Sequence, residues 1–139
     1  MNFSKYYTVD EVNFLLPQIR QQIEWLQDLK KQHQTKRDEL QELRIALFNP
    51  HAPAAAEDQD PFFSLECELE FLEFQVKQLL MKFGEREILI KSIDAGLVDF
   101  PAMIDGEEVL LCWLKDEPQV SHYHSLNDGF WGRRKIDQG

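Results

Sequence analysis

Cysteine is scarce: Cys67 and Cys112 are the only two in 139 residues. They have no metal-type spacing and sit inside apolar patterns, so both read as buried free thiols in preference to a disulfide or a nucleophile. Long apolar runs are missing too, which leaves no segment able to span a bilayer. Positive charge is in deficit, with 15 Lys+Arg against 25 Asp+Glu for a formal net charge of −10. Such a surface repels phosphate backbones, so nucleic-acid binding is not expected. The opening MNFSKYYTVDE has neither the apolar core nor the small-residue cleavage site of a signal peptide. The expected location is therefore cytoplasmic, of a bacterial type. No Gly-x-Ser-x-Gly, Walker, dinucleotide-binding or Cys-x-x-Cys pattern occurs, and the corresponding hydrolase, nucleotide and dithiol classes have no support.

What is present is helical periodicity followed by strand periodicity. Thr8-Val9-Asp10-Glu11 has the form of a capping box. From there Val12, Ile19, Leu26, Leu40 and Leu47 recur at heptad spacing, with Leu15, Leu29 and Leu43 as a second row, and predict a helix over 9–47. Pro17 lies inside it and predicts a kink. A proline- and acid-rich stretch predicts a loop over 48–63, where His51 reads as solvated. Ser64 reads as the cap of a second helix over 64–93, striped by Leu65, Leu69, Leu72, Val76, Leu79, Phe83, Ile90 and Ile93. The charge balance differs between the two: residues 1–47 hold seven acids and seven bases, residues 57–91 nine and four. The second helix should therefore present a solvated acidic face.

The period then changes. Residues 97–104, 108–114 and 119–124 read as strands, the first two joined by Asp105-Gly106, a strong type I′ hairpin signal. The stretch 109–114 is apolar on both faces, which predicts a central strand with Trp113 buried against helices. Pro101 points to an edge or a bulge. Asn127-Asp128-Gly129 reads as a turn before a short closing segment. The expected fold is α+β in a single domain over 1–139: a long antiparallel, coiled-coil-like helical hairpin packed with a small C-terminal antiparallel β-sheet, the meander and turn occupying 97–134.

The segments KYYTVDEVNFLLPQIR, GLVDFPA, CWLKDEP and HYHSLNDGFWGRR resemble the small bacterial proteins grouped as domain of unknown function 2203. The matching positions are Leu15, Leu16 and Pro17; Asp99 and Phe100; Cys112, Trp113 and Glu117; and His124, Gly129, Phe130, Gly132 and Arg133. The chain departs from that pattern at Asp116, where the family usually has glycine, and at His122, where an aromatic is frequent. The resemblance implies a fold and a choice of site residues, and no activity.

Two constellations carry chemistry. Residues two apart in a strand share a face, so His122 and His124 can address one ion, with Glu117 and Asp128 close by in sequence. A divalent transition metal is the candidate cofactor. Against this stands a solvated His122 beside a hydrogen-bonded His124, favoured by the single histidine of the family pattern. The second constellation is Asp99, Glu117, His124 and Arg133, suited to binding an anion or small molecule, or to moving protons at neutral pH. Its opposing reading is a closed polar network. Two functions follow, an interaction module and a small enzyme or ligand-binding protein with its site around Glu117, His124 and Arg133. Phe14, Ile23, Phe71, Phe74, Leu80 and Leu89 exceed what one helical hairpin covers, which favours the module and predicts self-association as a homodimer.

Overall fold

The computed structural model describes residues 2–48 and 60–136. Two long helices, α1 (Val9–Leu47) and α2 (Pro61–Glu85), precede five strands: β1 (Leu89–Ser92), β2 (Leu97–Ile104), β3 (Glu107–Leu114), β4 (His122–Ser125) and β5 (Arg134–Lys135). The strands form one antiparallel sheet in sequence order, so the architecture is α+β. Among the described residues no helix is long and apolar enough to cross a membrane. His51 and most of the expected loop lie outside the described residues.

The chain divides into two compact units, Met1–Trp25 with Leu79–Gly139, and Leu26–Gln78. In the helical unit, His33 meets Glu73 at 2.9 Å and Lys36 meets Glu68 at 3.1 Å. The numbers rise on one helix as they fall on the other, so the helices run antiparallel. Leu26, Leu29, Leu40 and Leu72 are buried in this unit, whereas Leu47 and Cys67 are exposed, contrary to the heptad stripe and to the expected burial of both thiols.

In the sheet unit α1 starts where the capping box placed it. The Glu11 N–H donates to Thr8 Oγ1 at 3.1 Å and the Thr8 N–H to Glu11 Oε1 at 3.4 Å. The helix continues through Pro17. Its buried row here is Val12, Leu16, Ile19 and Ile23, so Leu16 takes the place expected for Leu15, and Ile23 is buried as well.

The second helix differs from expectation at both ends. It begins at Pro61, with Asp60 and not Ser64 as cap: the Phe63 N–H donates to Asp60 Oδ1 at 3.1 Å. Proline suits the first helical position, where its missing donor has no intrahelical acceptor. The helix ends at Glu85 instead of near Ile93. The Ile88 N–H bonds the Phe83 carbonyl, the Glu87 N–H bonds that of Gly84, and Glu87 stands at φ 56°. This is a Schellman stop with the buried pair Phe83 and Ile88 closing it. The apolar residues beyond, Leu89 and Ile90, belong to β1. Glu87 accepts the left-handed backbone that glycine would take more easily, and its carboxylate receives the N–H groups of Ser4 and Lys5 at 2.8 and 2.9 Å. Those bonds, the Lys5 N–H first, hold its pKa below the usual carboxylate value.

Asp105 and Gly106 both have positive φ, 52° and 80°, as the type I′ hairpin requires. β3 is the central strand. Pro101 lies within β2, the second strand, but beyond the last residue paired with β1. Its missing donor therefore faces a locally free edge, where its carbonyl accepts the Tyr7 N–H at 2.7 Å. The strand expected over 119–124 is shorter and shifted, and β1 and β5 extend the anticipated three-stranded meander.

Candidate functional site

Alternation along β2 and β3 gives the sheet two distinct faces. One carries Val98, Phe100, Leu111 and Trp113, all essentially inaccessible. Arg20 of α1 lies over the Trp113 ring at 5.3 Å, and Tyr7 meets Phe100 edge-on, so this face packs on the helix and the N-terminal segment. The other face carries Asp99, Cys112, His122 and His124. Asp99 is paired with Cys112 across β2 and β3, and Cys112 with His122 across β3 and β4.

Asp99 and His124 are buried and bonded, Oδ2 to Nε2 at 2.9 Å. The other ring nitrogen, Nδ1, lies 2.8 Å from the Ser125 carbonyl. A carbonyl only accepts, so Nδ1 carries a proton. Nε2 and Oδ2 would face each other as two acceptors unless a further proton, or another cation, lies between them. Asp99 Oδ1 has no hydrogen-bond partner and is fully buried. The Cys112 thiol sits beside this pair. Burial first, and the Asp99 charge second, push its pKa up to about 12. It is a protonated thiol, not a ready nucleophile.

Glu117 organises a second network. Its Oε2 accepts Arg133 Nη2 at 2.6 Å, its Oε1 accepts the Leu114 N–H at 2.8 Å, and its carbonyl accepts Trp113 Nε1 at 2.9 Å and Arg20 Nη2 at 3.2 Å. Arg133 stacks over Phe130 at 4.8 Å. The turn holding Asp116 is closed by the Glu117 N–H to the Leu114 carbonyl, with no positive φ at Asp116. His122 Nδ1 lies 3.7 Å from Glu117 Oε2 and 2.9 Å from Ser121 Oγ. Burial foremost, then the Arg133 charge, lowers the His122 pKa.

The four residues of the anion constellation thus fall into two pairs, Asp99 with His124 and Glu117 with Arg133. The four metal candidates do not converge. Glu117 and His122 approach each other and His124 turns to Asp99. The exposed Asp128 uses its backbone N–H to bond Ser125 and stacks its side chain where a Cβ on Gly132 would stand. Among the described residues, the one group of three donors within 4.8 Å of one another is Asp99, Cys112 and His124. Cys112, a family-pattern position read from the sequence only as a buried thiol, joins this group, and the sequence holds the clue. A two-residue turn at Asp105-Gly106 pairs residues whose numbers sum to 211, which sets Asp99 opposite Cys112. Arg20 was missed, since nothing local marks a helix arginine as the clamp on a turn. A separate open groove of about 680 Å³ is lined by Lys5, Tyr7, Phe14, Leu15 and Arg86 and by none of the expected site residues.

The family model described as "Uncharacterized conserved protein (DUF2203)" matches residues 5–136. No curated protein and no solved structure matches the chain.

Proposed function

The chain belongs to the DUF2203 family, and on that premise we propose that it is a helical-hairpin interaction module that self-associates as a homodimer through α2. The observation that carries this reading is a second apolar stripe on that helix. Phe63, Cys67, Phe71 and Phe74 recur at intervals of four, four and three residues and so share one side. That side is opposite the one on which Leu65, Leu69, Leu72 and Val76 are covered. Phe63, Phe71 and Phe74 remain 63%, 62% and 56% exposed. A helix apolar on two opposite sides is built to be covered on both. Ile23 and Leu89, expected to add to this surplus, are buried and half-buried, so the surface is narrower than the composition suggested.

A second copy of the chain suits the stripe. Large aromatics bury about 150–250 Å² each, so three of them half exposed, with Cys67 and flanking stems, offer roughly half of the ~800 Å² per partner of a standard interface. The remainder falls to flanking residues. The closed pairing of Glu117 with Arg133 also supports this reading over a ligand site built on Glu117, His124 and Arg133. Phe71→Glu combined with Phe74→Glu tests the idea by light scattering: the parent should run at twice the chain mass and the double variant at the chain mass. Equal masses for both proteins would remove the stripe as the interface.

A further inference from the structure

We propose that Asp99, Cys112 and His124 form a buried site for a borderline-soft divalent metal ion such as zinc. Three observations carry this. First, one thiol, one imidazole and one carboxylate lie on one sheet face with their donor atoms within 4.8 Å of one another, all in buried residues. A tetrahedral ion bonded at ~2.0–2.3 Å to sulfur, nitrogen and oxygen holds such donors about 3.3–3.6 Å apart. Sulfur must close from within 4.8 Å to that spacing, and Nε2 and Oδ2 must part from 2.9 Å by a few tenths of an ångström. Second, the Ser125 carbonyl fixes the His124 proton on Nδ1, which leaves the Nε2 lone pair aimed at the carboxylate. Backing of a ligating imidazole by a carbonyl is the usual outer-shell support of a metal-bound histidine. Third, Asp99 Oδ1 is buried without a partner, a cost that a cation held by the same carboxylate offsets.

The charges and protons balance. A thiolate and a carboxylate neutralise a 2+ ion, and two protons leave on binding, that of the thiol and that shared by Nε2 and Oδ2. Mixed sulfur, nitrogen and oxygen donors select zinc or cobalt over magnesium or calcium. Three protein ligands leave one position for water or an external donor. His122, directly across from Cys112, stays outside the set, bonded to Ser121 and near Glu117.

Cobalt(II) chloride is the probe, added both to folded protein and during refolding, in a Cys67→Ser background that removes the exposed thiol. The expected result is a near-ultraviolet thiolate-to-cobalt charge-transfer band that saturates at one ion per chain and disappears when zinc is added. The band should vanish in Cys112→Ser, weaken at least tenfold in apparent affinity in Asp99→Asn, and persist unchanged in His122→Gln. Absence of the band with Cys112 intact, or its survival in Cys112→Ser, overturns the proposal. Should Cys112→Ser fail to fold, the parent band and the contrast between Asp99→Asn and His122→Gln still decide: equal weakening in both variants, or in neither, overturns it.

Discussion

In the unit built on the sheet, charged groups are turned toward one another. Glu117 binds Arg133 and a backbone N–H, Asp99 binds His124, and Glu87 binds the N-terminal segment. In the helical unit the ion pairs lie at the surface, His33 with Glu73 and Lys36 with Glu68, and the large apolar side chains Phe63, Phe71 and Phe74 point outward. The sheet unit also exposes Phe14, Trp25 and Trp131, and Met81 there continues the side of α2 that carries the phenylalanines. Polar groups that satisfy each other internally make a rigid scaffold, whereas an apolar row left outside asks for a second surface. The same acidic chain therefore keeps its buried polar groups in one region and its exposed aromatic row in the other, the row on which the proposed association rests.

The contrast breaks most severely at Trp113. It is fully buried and anchors both Arg20 and Glu117. Trp113→Ala should cost roughly 3–5 kcal/mol, as large aromatic truncations do. Chemical denaturation checks it, and a change near zero would misplace the core of the sheet unit. Asp99→Asn keeps the shape but removes the carboxylate that faces His124, and should cost about 1–3 kcal/mol in metal-free protein. Thr8→Ala loses the cap of α1 and should cost about 1 kcal/mol. Glu87→Gln sharpens the comparison through pH. Because the folded pKa of Glu87 lies below its ordinary value of 4.5, the carboxylate contributes stability above pH 4.5 and loses it as the pH falls through the lower folded value. Parent and Glu87→Gln should therefore differ in melting temperature near neutrality and converge in acid. A gap that stays constant across that range would show that the carboxylate charge is not what pins Ser4 and Lys5.

Signals that act over three or four residues were readable. Thr8 with Glu11 and Asp105 with Gly106 each state a local hydrogen-bond or dihedral requirement, and each marks its element. The end of α2 was not readable. Ile90 and Ile93 continue the helical stripe, and nothing in Glu87 announces a left-handed backbone that tertiary bonds to Ser4 and Lys5 help to hold. Cap choice failed at Ser64 for a related reason, because Asp60-Pro61 lay in a segment read as loop. Among the candidate site residues, the contacts differ from those that sequence proximity suggests. Sequence proximity suggested His122 with His124, but register across two strands joins His124 to Asp99 and Cys112. The faces of α1 shifted by one heptad position near the sheet, which buried Ile23 and removed it from the expected interface.

The association claim is tested most directly by sedimentation equilibrium of the unaltered protein across the micromolar range, at low and at moderate salt. Glu66, Glu70 and Glu73 flank the apolar stripe, so bringing two copies together sets like charges near each other, and salt screens that repulsion. A dimer that tightens as salt is raised, and that is lost in the Phe71→Glu and Phe74→Glu double variant, is the predicted result. A monomer at every concentration and both salt levels would contradict it.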